Sequence, residues 1–246
     1  MLLHAEDVRK SFGAVAAVSD VSFDIQPGEL VALIGPNGAG KTTLFNVISG
    51  LLKPDGGRVV MDGVEITSLP AHRIAHNGIG LAFQITNIFP RLTVFQNVQV
   101  ALFSARGRSG SVRTFGPRAL RDEVQEILVA IGLIEFAQLS AGALAQADKK
   151  RLEVGIALAV RPRLLLLDEP TSGQSAEETT LTTDLIRRIN REQALTVLFI
   201  EHKMGVVFGI ARRVLVMHNG RLIADGDPQR VRQDEQVQRA YLGEVG

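Results

Sequence analysis

Gly35-Pro36-Asn37-Gly38-Ala39-Gly40-Lys41-Thr42-Thr43 fits the pattern G-x-x-x-x-G-K-[ST], a loop that cradles the phosphates of a nucleotide. Leu30-Val31-Ala32-Leu33-Ile34 before it reads as a short buried strand, and Thr43-Leu44-Phe45-Asn46-Val47-Ile48 after it as a helix. The glycines let the backbone curl and turn its N–H groups toward phosphate. The helix N-terminus adds partial positive charge. Lys41 is expected to reach the outer phosphates, and Thr42 to place its hydroxyl on Mg²⁺. The bland alternative is a tight turn; the Lys-Thr pair at the required offset argues against it.

Working outward, the segment from Leu2 to Asp24 alternates enough to suggest antiparallel strands. Asp62-Gly63, between Arg58–Met61 and Val64–Ile66, signals a hairpin, as does Asn219-Gly220 between Val214–Met217 and Arg221–Ala224. Parallel strands are expected at 30–34, 79–83, 163–167 and 196–200, joined by crossover helices. Residues 92–160 read as a mostly helical subdomain. Thr93 is placed to cap a helix through Val94, Val98 and Leu102, and Leu120–Ile131 fits a second helix with Val124, Ile127, Leu128 and Ile131 on one face. Between them Ser104–Val112 and Arg113 form a basic Gly/Ser-rich stretch. It reads as a solvated loop, with contact to lipid headgroups or a membrane partner as the sharper alternative.

Composition narrows the function. The 246 residues carry 27 basic and 26 acidic side chains, a net charge of +1 that gives no reason to expect nucleic acid as a partner. The absence of cysteine excludes disulfides and thiol catalysis. Met1–Asp7 lacks the layout of a signal peptide. The apolar runs Leu164–Leu167 and Val197–Ile200 are strand length, so a membrane role requires another chain to supply the span.

Arg163-Leu164-Leu165-Leu166-Leu167-Asp168-Glu169-Pro170 supplies the second half of a nucleotide site. Charges at the C-terminal edge of a strand lie where an α/β sheet binds ligand. Asp168 is expected to hold Mg²⁺ and Glu169 to orient or deprotonate an attacking water. A structural pair of surface carboxylates is the bland reading.

With these two motifs in order, the chain resembles the nucleotide-binding subunits of ABC transporters over nearly its whole length. The resemblance implies a P-loop NTPase core in the α/β class: a mostly parallel sheet, an N-terminal antiparallel β subdomain and an inserted α-helical subdomain, all in one domain over 1–246. It implies further roles. Gln84, after Gly80-Leu81-Ala82-Phe83, matches the glutamine that contacts Mg²⁺ and water. His202, after Phe199-Ile200-Glu201, matches the switch histidine at the γ-phosphate, and Phe12 the aromatic that stacks on adenine. Read alone, His202 is an ordinary strand-end histidine and Phe12 a core residue. A finer resemblance, to ATPase subunits of branched-chain amino acid importers, rests on Phe83–Phe89 with Leu92-Thr93-Val94, Lys150–Glu153, Ile200–Met204 and Ala240–Glu244. Urea-import and lipopolysaccharide-export ATPases share parts of this pattern. Implied partners are a second ABC ATPase subunit, a membrane permease and, indirectly, a periplasmic or extracellular solute-binding protein. The implied place is the cytoplasmic face of the inner membrane.

The pattern breaks at the family's signature, usually Leu-Ser-Gly-Gly-Gln at a helix start. Leu139-Ser140-Ala141-Gly142 is a decoy; the family interval before Asp168 lands on Leu144-Ala145-Gln146-Ala147-Asp148. Ala145 lacks the donor hydroxyl, and Gln146 and Ala147 add side chains where glycines allow close approach. Because such subunits pair head to tail, this motif serves the partner's site rather than the one built on Lys41. A heterodimer with unequal sites is therefore expected, with a homodimer as the alternative. Ser172-Gly173-Gln174-Ser175 also departs from the usual Ser-Ala-Leu-Asp, though Ser175 is able to cap a helix from Ala176. Two other functions compete. A soluble ABC-type ATPase on DNA or ribosomes is disfavoured by the short interval from Gln84 to Leu144. A module that holds ATP without turnover is disfavoured by Glu169 and His202. His4, His72, His76 and His218 show no metal-ligand spacing.

Overall fold

A computed structural model describes residues 1–82, 88–106 and 117–242. In chain order the strands and helices are β1 (Leu3–Phe12), β2 (Val15–Ile25), β3 (Leu30–Ile34), α1 (Lys41–Ile48), β4 (Gly56–Met61), β5 (Val64–Glu65), α2 (Ala71–His76) and β6 (Ile79–Ala82). There follow α3 (Val94–Arg106), α4 (Pro117–Ala130), α5 (Gln146–Leu158), β7 (Leu164–Asp168), α6 (Ala176–Glu192) and β8 (Thr196–Ile200). The chain continues through α7 (Met204–Ile210), β9 (Arg213–His218), β10 (Arg221–Gly226), α8 (Pro228–Gln233) and α9 (Glu235–Leu242).

The strands form two sheets. A six-stranded sheet runs β10-β9-β3-β8-β7-β6, and a four-stranded antiparallel one runs β2-β1-β4-β5. Within the larger sheet β3, β6, β7, β8 and β9 are parallel, and only β10 is antiparallel. Val214–Met217, expected as a hairpin arm, is also a parallel partner of β3, with Val31 opposite Arg213 and Ile34 opposite Val216. Both hairpin turns have the left-handed pairs such turns need: Asp62 and Gly63 at φ 51° and 79°, Asn219 and Gly220 at φ 49° and 77°.

The central strands read as continuous apolar runs because both of their faces are covered. In β3, Leu30, Ala32 and Ile34 join the core shared with α3–α7, while Val31 and Leu33 join the core shared with α1 and the antiparallel sheet. The same alternation divides Leu165 and Leu167 from Leu164 and Leu166, and Val197 and Phe199 from Leu198 and Ile200. Each fully buried side chain of this size contributes roughly 1.5–3 kcal/mol.

The helical part starts where expected. Thr93 and Gln96 cap α3 reciprocally: the Thr93 hydroxyl accepts from Gln96 N–H at 3.1 Å, and the Gln96 amide oxygen accepts from Thr93 N–H at 2.9 Å. Val94, Val98 and Leu102 are buried along one face, and Val124, Leu128 and Ile131 meet them from α4 and its end. The helix continues through Ser104–Arg106, the start of the expected basic loop, and Arg106 is ion-paired with Glu123 of α4. The rest of that loop, 107–113, lies outside the described residues.

Candidate nucleotide site

β3 delivers the glycine-rich loop into a slot between the two sheets. Gly35 has φ +152°, and a Cβ there would lie 2.1 Å from the Met217 carbonyl oxygen of β9. Gly40 has φ +99°, and its Cβ would lie 2.0 Å from the Ala17 carbonyl oxygen of β2. Only glycine fits either place. The β9–β10 turn pins the loop from the side: Gly220 N–H donates to Ala39 O at 3.1 Å and Ser19 N–H to Gly220 O at 2.8 Å. Pro36 and Ala39 are buried, whereas Asn37 and Gly38 are exposed, with nothing within 4 Å of where a Gly38 Cβ would stand.

Lys41 opens α1 and is 5% exposed; its Nζ donates to Gly35 O at 2.6 Å and Pro36 O at 2.7 Å. The loop therefore curls around an ammonium group that its own carbonyls hold in place. Thr42, beside it, is exposed and Thr43 half-buried. A cationic centre, a helix start and an open stretch of backbone at Asn37 and Gly38 fit an anionic phosphate chain.

β7 stands two strands away, across β8, and ends on Asp168. Burial pushes the Asp168 carboxyl above its ordinary pKa, the Glu169 charge pushes it the same way, and His202, Lys41 and Lys150 pull it back. A half-buried carboxylate in that condition suits a cation. Glu169 follows at φ +50°, a left-handed conformation that costs an ordinary residue about 1–2 kcal/mol. Its backbone is held there: Glu169 N–H donates to Ile200 O at 3.0 Å, and Lys150 Nζ donates to Glu169 O at 2.8 Å. The Glu169 carboxylate lies 3.1 Å from His202 Nε2.

A buried support lies behind these groups, and the sequence reading missed it. Glu201 is 3% exposed; it accepts from Thr171 N–H at 2.9 Å, from the Thr171 hydroxyl, and from the N–H groups of His202 at 3.0 Å and Lys203 at 3.2 Å. Lys203 Nζ donates to Thr171 O at 3.0 Å, Gln174 O at 3.2 Å and Thr179 Oγ1 at 3.1 Å. The one sequence signal was a glutamate ending the apolar run Thr196–Ile200 directly before His202.

Phe12 is 50% exposed at the tip of the β1–β2 pair, with Lys10 Nζ 5.8 Å from its ring centroid, so it is no core residue. Gln84 lies outside the described residues. Ala145 precedes α5 in extended geometry, without a side-chain cap. Ala145 and Gln146 are exposed, but Ala147 is 7% exposed, its methyl packed inward. Of the two side chains expected where glycines allow close approach, Gln146 is exposed and Ala147 is buried. Leu139–Gly142 belongs to a separate turn, with the Ser140 hydroxyl on Pro90 O at 2.7 Å. Among the described residues no cluster of three or more His, Cys, Asp or Glu is set to hold a metal ion, and no helix is long and apolar enough to cross a membrane.

Residues 18–172 match the ABC transporter family, and residues 221–246 match the family described as branched-chain amino acid ATP-binding cassette transporter. The chain is 38% identical to the high-affinity branched-chain amino acid transport ATP-binding protein LivG of Escherichia coli strain K12, over 99% of this chain and 98% of that protein. It is 35% identical to the lipopolysaccharide export system ATP-binding protein LptB of Haemophilus influenzae, over 99% and 98%. A solved ATP-binding cassette of an ABC transporter in its ADP conformation superposes with a TM-score of 0.86, at 28% identity over 98% of both chains. With the phosphate loop, the carboxylate-ended strand and these likenesses in agreement, the chain belongs to the ABC transporter family as an ATP-binding subunit, an ATPase coupled to transport.

Proposed function

We propose that this subunit hydrolyses Mg-ATP to drive uptake of branched-chain or other hydrophobic amino acids through a separate permease. The observation that carries the catalytic part is the convergence of Lys41, Asp168, Glu169 and His202 from three strand ends on one edge of the sheet. Lys41 and the backbone N–H groups from Asn37 to Thr43 bind the phosphates of the substrate. Thr42 and Asp168, together with Gln84 by the family resemblance, would hold Mg²⁺, which would supply charge neutralisation on the phosphate oxygens. Glu169 takes a proton from water as that water's oxygen bonds the γ-phosphorus and the bond to ADP breaks. His202, whose Nε2 lies 3.1 Å from the Glu169 carboxylate, donates toward the γ-phosphate, and Phe12 offers its open face to adenine. The relatives named for branched-chain amino acid transport and the match at 221–246 favour this solute class over lipopolysaccharide export.

An apolar groove of about 410 Å³, walled by the turn after α1, α2, β6, α3 and the end of α5, is the proposed seat of the permease. It is lined by Leu51, Ile74, Leu81, Phe89, Val100 and Ile156, of which Phe89 is 54% exposed and Val100 39%. Residues 92–160 serve as the helical subdomain that supplies one wall of this groove and carries the signature. Docking there places the subunit on the cytoplasmic face of the membrane. A second ATPase subunit completes the Lys41 site with its own signature, and we favour a heterodimer because Ala145 and Gln146 weaken the site this chain completes.

Glu169→Gln tests the catalytic reading. Hydrolysis in the assembled transporter should fall at least a hundredfold while binding of Mg-ATP persists; retained turnover overturns the role of Glu169. Uptake of labelled leucine tests the solute. Deleting the gene should abolish it, and unchanged leucine uptake with loss of another solute reassigns the cargo.

A further inference from the structure

The helix that starts at the signature also reaches its own chain's catalytic loop. Lys150 lies in the second turn of α5, four residues beyond Gln146, and is 8% exposed. Its Nζ donates to Glu169 O at 2.8 Å and to Ser172 Oγ at 3.0 Å. An ammonium group has three donors, and a buried one requires partners. Burial lowers the Lys150 pKa, while the charges of Glu153, Glu201 and Glu169 raise it and Lys203 lowers it further. Two lysines thus hold the loop after β7: Lys150 from α5 holds Glu169 and Ser172, and Lys203, at the N-cap of α7, holds Thr171 and Gln174. The grips differ in what they are attached to. Lys203 belongs to the strand end that carries His202. Lys150 belongs to the helix whose first residues face the partner's nucleotide in the proposed pair.

We propose that Lys150 is a positioning residue that ties the signature end of α5 to the backbone of Glu169, so that a nucleotide held at the partner's site sets the position of this chain's own catalytic carboxylate. The proposal rests on the role given to Glu169 above and adds a coupling between two sites. Glu169 sits in a left-handed conformation that its neighbours must enforce, and its carbonyl has the Lys150 ammonium as a fixed donor. A helix is stiff over one turn, so a shift at Gln146 moves Lys150 with it. The carbonyl of Glu169 then moves, and with it the aim of its carboxylate at water.

The test uses the assembled transporter and the variants Lys150→Met, Lys150→Arg and Ser172→Ala. Parent turnover that disappears in Glu169→Gln establishes the catalytic reading independently; its persistence sinks that reading before the coupling is addressed. For Lys150→Met we expect kcat to fall about tenfold or more, KM and the dissociation constant for Mg-ATP to stay within twofold, and Lys150→Arg to recover most of kcat. Ser172→Ala, which keeps the lysine buried, should lower kcat several-fold at unchanged KM. Replacing Gln146 by Ala should change kcat in the parent and leave it unchanged in the Lys150→Met background, because the link is already cut. Unaltered kcat in both Lys150→Met and Ser172→Ala overturns the proposal. So does an effect of Gln146→Ala that is the same in both backgrounds, or a loss in Lys150→Met that Lys150→Arg leaves unrepaired and that follows a lowered Tm.

Discussion

Gly40 and Gly38 sit two residues apart in one loop and face opposite constraints. Both have positive φ, but a Cβ at Gly40 would meet the Ala17 carbonyl at 2.0 Å, whereas at Gly38 it meets nothing within 4 Å. Gly38→Ala should therefore cost only the left-handed conformation, about 1–2 kcal/mol. Gly40→Ala adds a backbone collision and must push β2 away from the loop. Thermal melts and titration with a fluorescent ATP analogue check this: Gly40→Ala should lose binding and melt well below Gly38→Ala, and equal behaviour would contradict the packing. Asp168 poses a different problem. Its folded-state pKa is raised above 3.8, first by burial and then by Glu169, so the folded protein keeps the proton longer than the unfolded chain does. Stability therefore falls as pH rises from the ordinary carboxylate value through the raised one, and the full penalty stands at neutral pH. Asp168→Asn should melt higher than the parent at neutral pH in EDTA, and the difference should shrink as the pH falls toward 3.8 and the parent takes up its proton. The same variant should lose hydrolysis. A variant that melts no higher at neutral pH would mean that the carboxylate is not penalised by its place in the fold.

At the level of elements, α6 shows how a departure from a family pattern is absorbed. Ser175 stands where an aspartate is usual, yet its hydroxyl accepts from Glu178 N–H at 3.2 Å and Glu178 returns a carboxylate to Ser175 N–H at 2.8 Å. Ser175→Ala should cost about 1 kcal/mol. In a protein of this size that lowers Tm by about 2–4 °C, and Ser175→Asp should restore it. A melt of Ser175→Ala equal to the parent's would show that packing alone holds the helix start. This cap was legible in the sequence because its two residues are neighbours, and so were both hairpin turns, where Asp-Gly and Asn-Gly announce their own backbone angles. The phosphate loop and the strand ending in Asp168-Glu169 were legible for the same reason: each is a contiguous run whose spacing carries the chemistry. What the sequence concealed is non-local. Pairing of β9 with β3 joins residues about 180 positions apart, and an apolar run such as Val214–Met217 fits a hairpin arm as well as a buried parallel strand. Lys150 and the pair Glu201 and Lys203 come from segments about 50 positions apart, which the sequence offers only as pieces of a family resemblance, without a structural role. Their burial follows from how α5, β8 and the loop after β7 close on one another.

Across the whole molecule the phosphate loop is where two sheets and their cores meet. Carbonyls of Met217 in the large sheet and Ala17 in the small one stand hard against its glycines, so the loop is packed on both sheets. The signature lies elsewhere, at the start of α5 in the helical part, and in the proposed pair its surface belongs to the partner's site. In that pair one chain contributes two unequal half-sites. In the proposed reading the Lys41 half carries Lys41, Thr42, Asp168, Glu169 and His202, and Gln84 lies outside the described residues. The signature half has Ala145 for a hydroxyl donor and Gln146 for a glycine; one lost hydrogen bond to a charged phosphate costs roughly 1.5–3 kcal/mol. In a homodimer both sites carry that loss, since each is completed by the same altered motif. In a heterodimer the Lys41 site escapes it if the partner's signature is intact. Steady-state ATPase activity of the purified chain against its own concentration separates the cases. We expect low activity for the chain alone, with Mg-ATP still bound, and a rise of at least tenfold on adding the second ATPase subunit of its transporter. Activity of the chain alone that climbs faster than linearly with concentration, vanishes in Glu169→Gln and gains nothing from the second subunit would establish a homodimer. In that case the backbone N–H groups at the start of α5 suffice to complete the site, and the exposed Gln146 side chain is accommodated between two copies of this chain.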